Sequence, residues 1–236
     1  MLGIIGGSGL YELVSGKEKR IKTRFGTATV VLGALSGSPC AFIARHGKKH
    51  SIPPHMINHR ANISALAQLG VTDVLATSSV GIISDYSIGD LVIVRDFVSL
   101  GQAITFFDDF SKGLRHTDMS EPYDPGLVRS VIGAAKQEGI RLKDDGILAH
   151  ASGPRFETKA EIKALGKLGA NLVGMTSVPE AILANELGIR FANLAIASNF
   201  AAGISKIPLT AEEVLKTVKR KETKVLRIVG GVAREV

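Results

Sequence analysis

Short apolar runs alternate along this chain with longer segments whose apolar residues recur every three or four positions. The runs have the length of buried strands, and the helical spacing is typical of amphipathic helices. The runs predict strands over residues 2–7, 28–35, 39–47, 72–81, 89–100, 146–153, 171–175 and 190–198, with the 72–81 run turning into a loop. The helical spacing predicts helices over residues 59–70, 125–139, 159–169 and 177–188, and from 211 onward.

Capping residues delimit these predicted helices. Gly70 suits the left-handed residue that follows a helix, and Asp124 before Pro125 is a typical helix start. The S/T-x-x-E pattern of a capping box opens three further helices, at residues 158–161, 177–180 and 210–213.

The regular alternation of strands and helices favours an α/β fold. We predict one domain over residues 1–236, with a largely parallel or mixed sheet and helices on both faces. Residues 101–123 interrupt the alternation with a polar, irregular segment that contains Phe106, Phe107, His116 and Tyr123. A segment of that length without secondary structure indicates a function or a subunit contact.

Composition narrows the possible partners. The chain is 45% hydrophobic and 22% charged, as in an ordinary globular protein, and its net charge is +7. Positive charge suits nucleic acid, a membrane surface or small anions equally. The basic cluster between Lys216 and Arg227 fits the solvated face of a terminal helix better than a nucleic-acid patch. Because only 5% of residues are aromatic and Trp is absent, platforms for base stacking are scarce, and we expect no nucleic-acid partner.

Cysteine usage and the N-terminus bear on the compartment. Cys40 is the single cysteine, which excludes an intrachain disulfide and a cysteine-based metal cluster. The N-terminal segment lacks the basic region of a signal peptide. No apolar run approaches the ~18 residues that a membrane span requires. We therefore expect a soluble, cytoplasmic protein with no membrane partner.

Residues with anion-binding chemistry follow the predicted strands. In open α/β sheets, ligands bind beyond the carboxyl ends of the strands. Small hydroxyls, glycines, one Arg and one His fall there, within residues 6–9, 45–47, 77–81, 153–157, 175–177 and 198–201. Hydroxyls, backbone amides and a guanidinium are typical of an anion site. Each segment alone also fits a purely structural role, but six of them in one domain favour the anion site.

Two common nucleotide motifs and a metal site are disfavoured. The glycine-rich turn at residues 6–9 does not complete G-x-G-x-x-G because position 12 is Glu, and no P-loop pattern occurs. No zinc motif has the spacing of the four nearby histidines, His46, His50, His55 and His59, and no carboxylate lies among them. We expect no metal.

Seven segments together resemble a known family. "GIIGGSGLY", "ARHG", "INHRANISAL", "SSVG", "GPRFET", "GMTSVPEA" and "ASNFAAG" occur in this order. At these spacings the chain resembles the trimeric-type purine nucleoside phosphorylases, and most closely their methylthioadenosine phosphorylase branch, from residue 3 to about residue 220. The resemblance implies a single α/β domain around a mixed sheet with a partly closed barrel. It also implies phosphorolysis, in which a purine nucleoside and phosphate give the free base and a pentose 1-phosphate without a metal or organic cofactor.

The resemblance also implies the site residues. Those that match phosphate-binding positions are Ser8, Arg45, His46, Ser78, Ser79 and Thr176. Those that match nucleoside-binding positions are Met175 under the ribose, His50 near its 5′ end, and Phe156, Glu157, Asn199, Phe200 and Ala201 around the base. Catalysis is expected from Asn199, which faces N7 of the departing base, and from His46. His116 matches a residue that a neighbouring subunit donates, so a homotrimer or two stacked trimers are expected.

Three residues depart from the adenine-specific branch and predict another base. That branch carries aspartates at the positions of Asn199 and Ala201, and a small hydroxyl residue at that of Glu157. An Asn amide can donate to O6 of a 6-oxopurine and accept from a protonated N7, while a carboxylate at position 157 can accept from N1–H. We therefore expect inosine and guanosine as substrates. A methylthioadenosine phosphorylase with a relaxed base pocket is the alternative.

The 5′ end of the nucleoside is expected to meet an apolar wall. Ala211 and Val214 match residues that hold a methylthio group, and no His follows His150 to bind a 5′-hydroxyl. 5′-Methylthioinosine is thus a further expected substrate. Two readings from other classes stay open: a basic nucleic-acid module without turnover, and a hydrolase indifferent to phosphate.

Overall fold

The computed structural model describes residues 1–10, 13–101, 103–111, 113–206 and 210–236, so Glu12 of the interrupted glycine pattern lies outside the described residues. The strands are β1 Leu2–Gly6, β2 Ser15–Thr23, β3 Gly26–Leu35, β4 Ser38–Ala44, β5 Asp73–Ile82, β6 Leu91–Val98, β7 Lys143–His150, β8 Leu172–Gly174 and β9 Arg190–Phe200. The helices are α1 His59–Gln68, α2 Pro125–Gln137, α3 Lys159–Lys167, α4 Ser177–Glu186 and α5 Ala211–Glu235, with a 3-10 turn at Pro54–Met56.

The described strands form one mixed sheet that closes partly on itself. Their order is β2-β3-β4-β1-β5-β8-β7-β6-β9, and β9 pairs back onto β5. Strands β5, β8, β7, β6 and β9 therefore make a closed ring, while β1, β4, β3 and β2 extend from β5 as an open wing. The predicted α/β fold with a partly closed barrel is confirmed.

Apolar residues on both faces of the sheet hold the helices in place. The strands nearest the barrel are buried almost throughout, as in β1 and β9. Helix α5 packs on α2 and β9, and buries one apolar stripe that includes Val225, Ile228 and Val232. Its basic residues Lys216, Lys219, Arg220, Lys224 and Arg227 are exposed, as expected for a solvated helix face.

The capping predictions are largely confirmed. The Thr158 hydroxyl accepts from the Glu161 amide, and the Glu161 carboxylate accepts from the Thr158 amide, which completes a capping box. The Thr210 hydroxyl accepts from the Glu213 amide at the start of α5. The capping box predicted at residues 177–180 was wrong by one residue, because the N-cap of α4 is Thr176, whose side chain makes no capping hydrogen bond.

Two strands differ from the predictions. Strand β2 was not predicted, because its sequence, SGKEKRIKT, is polar and almost wholly exposed. It forms by antiparallel pairing with β3 at the edge of the sheet, where charged side chains are typical. The loop predicted within 72–81 is absent from β5, which continues to Ile82 because both β8 and β9 pair with its last residues.

Candidate active site

A cavity of about 450 Å³ opens where the barrel meets the open wing. Its walls come from the ends of β1 and β4, the interior of β5 and β9, the loop after β7, the β8–α4 junction and the first turns of α5. The lining residues are Ser8, His46, His50, Ser51, Pro53, Pro54, Ser79, Val80, Gly81, Pro154, Phe156, Glu157, Val173, Gly174, Met175, Thr176, Ser198, Asn199, Ala211, Val214 and Leu215. Most of the sequence-predicted residues therefore share one cavity.

A β-bulge in β9 aims two adjacent side chains at this cavity. Val80 of β5 pairs with Ala197, but the next residue, Gly81, pairs with Asn199. Ser198 is the extra residue, and a bulge of this kind re-aims side chains that would otherwise alternate between the two faces. Both Ser198 and Asn199 consequently line the cavity.

The hydrogen bonds of Asn199 fix the orientation of its amide. Its Oδ1 accepts from the Ser198 hydroxyl at 2.7 Å, and its Nδ2 donates to the Phe200 carbonyl at 3.1 Å. The Ser198 Oγ also lies 3.1 Å from the Val80 carbonyl. A primary amide has two N–H donors and two acceptor lone pairs, so one donor and one acceptor site are left for a ligand.

Glu157 provides a buried carboxyl group beside the exposed ring of Phe156. Both residues lie on the loop between β7 and α3, and both line the cavity. Only 9% of Glu157 is exposed, and this burial raises the pKa of its carboxyl group. Phe156 is 40% exposed, which leaves a ring face for stacking. Met175 lies beneath this loop, because a Cβ on Gly153 would come within 2.6 Å of its sulfur.

His46 lines the cavity as a neutral imidazole. Its Nδ1 lies 2.8 Å from the Ile52 carbonyl and therefore carries the proton that it donates there. Burial, followed by the nearby Arg45 cation, lowers the pKa of His46 to about 4. Its ring stacks on that of His50 at a centroid distance of 4.6 Å. The Nε2 of His46 is left as a hydrogen-bond acceptor, which suits an OH group of hydrogen phosphate or of a sugar.

Arg45 lies one layer behind the cavity wall and is 1% exposed. Its Nε and Nη2 donate to the two carboxylate oxygens of Glu180 at 2.6 and 2.7 Å, and its Nη1 donates to the Thr77 carbonyl at 2.8 Å. Burial alone would raise the pKa of Glu180, but the charge and hydrogen bonds of Arg45 lower it to about 2. The pair is therefore an ionised, buried fork.

The start of α4 adds donors to the cavity wall. Thr176 lines the cavity, and its hydroxyl is not used to cap the helix. The N-terminal amides of a helix, with its dipole, favour an anion. Ser8 reaches the cavity from the turn after β1, and Ser79 reaches it from β5. The hydroxyl of Ser78 instead donates to the Asn193 side chain at 3.1 Å, in the layer beneath.

Three further predicted residues stand apart from the cavity wall. Phe200 packs on the main core, and Ala201 lies in a smaller apolar cluster with Ile83, Ala149 and Val173. His116 is exposed on the 101–123 segment, where its ring meets that of Phe110 edge-on at 5.6 Å. None of these side chains lines the cavity of its own chain within the described residues.

The sequence patterns missed several wall residues. Val80 and Gly81 fall within the predicted 77–81 segment but were given no role there, and Val173 is part of a buried strand whose apolar sequence gives no signal beyond core packing. Ser51, Pro53 and Pro54 reach the cavity on the turn that follows His50. Leu215 joins Ala211 and Val214 as the apolar wall from α5, a signal that the helical spacing of the last segment did contain.

The family follows from the whole chain rather than from one motif. A family model described as the phosphorylase superfamily matches residues 1–234. The chain belongs to the phosphorylase superfamily. Its predicted membership of the nucleoside phosphorylases is confirmed by relatives that are named as such phosphorylases and that align with this chain over nearly their full length.

Three proteins illustrate what the chain is similar to within the superfamily. A probable 6-oxopurine nucleoside phosphorylase from Moorella thermoacetica is 41% identical, over 99% of this chain and 94% of its own. A probable S-methyl-5′-thioinosine phosphorylase from Methanopyrus kandleri is 38% identical, over 97% and 90%. The structure of methylthioadenosine phosphorylase from Schistosoma mansoni in complex with adenine matches with a TM-score of 0.91 and 30% identity, over 99% of this chain and 90% of that one.

Two searches of the described residues bear on other kinds of site. In that part of the phosphorylase chain, no group of three or more His, Cys, Asp or Glu side chains is placed to hold a metal ion. No helix among the described residues is both long and apolar enough to cross a bilayer.

Proposed function

We propose that the chain catalyses phosphorolysis of 6-oxopurine nucleosides, with inosine and guanosine as substrates. The observation that carries this proposal is the pair of Asn199 and Glu157 in one cavity that is also lined by Ser8, Ser79 and Thr176. The names of relatives such as the Moorella thermoacetica protein support the same base.

Phosphate is proposed to bind between the β1 turn, β5 and the start of α4. Ser8, Ser79 and Thr176 supply hydroxyls, and the His46 Nε2 can accept from a P–OH group. Arg45 is proposed to add charge from behind this wall. There a phosphate oxygen is held close to C1′ of the nucleoside, and such positioning is a large part of the catalysis of a displacement step.

The reaction forms a bond from a phosphate oxygen to C1′ as the bond from C1′ to N9 breaks. The electron pair of that bond passes into the purine, and negative charge develops at N7 and O6. A donor and an acceptor placed where this charge develops stabilise the transition state. Asn199 is proposed to donate its remaining N–H to O6 and to accept from N7–H. The proton on N7 balances the one that hydrogen phosphate gives up to solvent as its oxygen bonds to C1′. No organic cofactor is required, because phosphate is itself the second substrate.

Glu157 is proposed to read the opposite edge of the base. As a carboxylate it accepts from N1–H of hypoxanthine or guanine, and from the 2-amino group of guanine. Phe156 is proposed to stack on the base, Met175 to pack under the ribose and His50 to lie near its 5′ end. Adenine has no hydrogen at N1, so it would leave the buried Glu157 carboxylate without a donor. An unpaired buried polar group costs free energy, so binding of adenine would be disfavoured.

The 5′ side is proposed to accept a hydroxyl or a methylthio group. Ala211, Val214 and Leu215 present an apolar wall there. A methylthioinosine phosphorylase name among the relatives supports 5′-methylthioinosine as a further substrate.

The assembly is proposed to be a homotrimer or two stacked trimers in the cytoplasm. His116 is exposed and lies outside its own cavity, as a residue donated to a neighbour would. Phe110 and Leu114, close to it along the chain, are exposed apolar side chains that an interface would cover.

A methylthioadenosine phosphorylase is the second candidate, since the similar solved structure from Schistosoma mansoni carries that name. Asn199 and Glu157 argue against it for the reasons above. Release of free base from inosine, guanosine, adenosine, methylthioadenosine and methylthioinosine, each with and without phosphate, separates the two. The first proposal fails if the adenine nucleosides are cleaved as fast as the 6-oxopurine nucleosides.

A further inference from the structure

Glu180 is the most deeply buried carboxylate next to the proposed phosphate site. Its side chain is 0% exposed, and both of its oxygens are hydrogen-bonded to Arg45. It lies in the first turn of α4, far along the chain from Arg45, which directly follows β4. The fork therefore ties the carboxyl end of β4 to the start of α4.

The fork also sets which donors of Arg45 remain for a ligand. An Arg side chain has five N–H groups, and the Glu180 carboxylate and the Thr77 carbonyl accept from three of them. The other two belong to Nη1 and Nη2. A Cβ built on Gly7 would lie 3.0 Å from Nη1, so the guanidinium lies against the turn that carries Ser8.

We propose that Glu180 is a positioning residue, whose carboxylate holds the Arg45 guanidinium in register with the start of α4 so that both act on the same phosphate. This role rests on the proposed function. Without the carboxylate, the guanidinium loses the two oxygens that hold its Nε and Nη2, because a bidentate fork needs two oxygens in one plane. Phosphate binding, rather than nucleoside binding, would then deteriorate.

Two variants of Glu180 test the role. Glu180→Gln removes the charge and one acceptor, while Glu180→Asp keeps the charge and withdraws the oxygens by one methylene. We expect the KM for phosphate to rise by about 10-fold or more in Glu180→Asp and further in Glu180→Gln, because misplacement of a binding group by ~1 Å has effects of this order. The KM for inosine should stay within about twofold, since the interactions of the base are untouched.

Asp73→Asn is the matched control. Asp73 is another buried carboxylate paired with an arginine, Arg190, but it lies at the amino end of β5, away from the cavity. This variant should lower the melting temperature without changing the KM for phosphate. If Glu180→Gln does not fold, Glu180→Asp decides the outcome. The proposal is overturned if a folded Glu180 variant keeps the wild-type KM for phosphate, or if its two KM values rise together.

A binding measurement separates this proposal from the proposed function. Inorganic phosphate alone should raise the melting temperature of the wild-type protein, and should raise that of Glu180→Asp less at equal concentration. Wild-type protein that binds phosphate but cleaves inosine without requiring it would contradict the proposed function and leave the role of Glu180 intact. Equal phosphate stabilisation of the wild type and Glu180→Asp would contradict the role of Glu180.

Discussion

The hydroxyl of Ser198 donates to the side-chain carbonyl of its neighbour Asn199 at 2.7 Å, and thereby defines which end of the amide is the donor toward the cavity. Adjacent residues of a regular strand face opposite sides of the sheet, so this contact depends on the bulge between β5 and β9. Selection of the purine base therefore depends on the backbone of β9 as well as on the identity of residue 199.

Removal of the Ser198 hydroxyl should weaken catalysis on 6-oxopurines. In Ser198→Ala the Asn199 amide loses the donor that fixes it, and one such hydrogen bond contributes about 0.5–1.5 kcal/mol, or roughly a 2- to 10-fold loss in kcat/KM on inosine. Ser198→Thr keeps the hydroxyl and serves as the control. Steady-state kinetics in which the Ala and Thr variants are equally active would contradict the orientation role.

Asn199→Asp should exchange the preference for the base. A carboxylate accepts from the exocyclic amine of adenine but meets O6 of hypoxanthine acceptor against acceptor. We expect kcat/KM on inosine to fall by about 10²-fold or more, and the ratio of adenosine to inosine activity to rise. If Asn199→Asp retained full inosine activity and gained none on adenosine, Asn199 would not be the residue that reads position 6.

The structure favours the single substitution over a double one with Ala201→Asp. Ala201 is 3% exposed and packs in an apolar cluster with Ile83 and Val173. A carboxylate there would be buried without a partner, which is costly. The double variant would therefore report stability as well as specificity.

Glu157→Gln should reduce activity on guanosine more than on inosine, because guanine offers the carboxylate a second donor. Burial raises the pKa of Glu157, so the carboxylate form is lost at a higher pH than the ordinary glutamate value of about 4.3. Wild-type kcat/KM on guanosine should thus fall as the pH is lowered toward that raised pKa. The Gln variant should lack this limb of the pH profile, and an unchanged profile would contradict the role of the carboxylate.

One buried and one half-buried histidine should make the fold sensitive to acid. Burial lowers the pKa of His46 and of His150 from 6.5 to about 4 in the folded chain. Between these pH values the unfolded chain binds more protons than the folded chain, so stability is complete above about pH 6.5 and is lost as the pH falls. The slope is at most about 1.4 kcal/mol per pH unit for each histidine.

Urea unfolding of the wild type and of His150→Leu at several pH values checks this dependence. The nitrogens of His150 have no hydrogen-bond partner among the residues that the structure describes, so the Leu variant removes a titrating group without breaking any of the described bonds. Its free energy of unfolding should fall less steeply between pH 6.5 and pH 4. Equal slopes in the two proteins would show that His150 does not titrate with folding.

Sequence patterns predicted most of the fold because local and tertiary preferences agree there. The apolar runs of β1 and β9 and the capping box at Thr158 lie where the sequence placed them. Strand β2 escaped prediction because it is held by pairing with β3 and buries almost nothing. Its polar sequence is that of a protected edge strand and carries no period of two.

The sequence predicted which residue types belong to the candidate site, but not which of them lie behind the cavity wall. The sequence predicted that one site contains Ser8, His46, Thr176 and Asn199, and all four line the cavity. It could not show that Arg45 lies behind the wall, because its partner, Glu180, is distant in sequence and resembles an ordinary charge in the first turn of a helix. Nor does sequence spacing reveal a bulge, which is a mismatch between two strands.

The most direct test of the account is the initial rate of base release from inosine compared with adenosine, measured with and without inorganic phosphate. A 6-oxopurine nucleoside phosphorylase would release hypoxanthine only when phosphate is present, together with ribose 1-phosphate, and would release adenine more slowly by orders of magnitude. Release of hypoxanthine at the same rate without phosphate, or adenine release as fast as that of hypoxanthine, would contradict it.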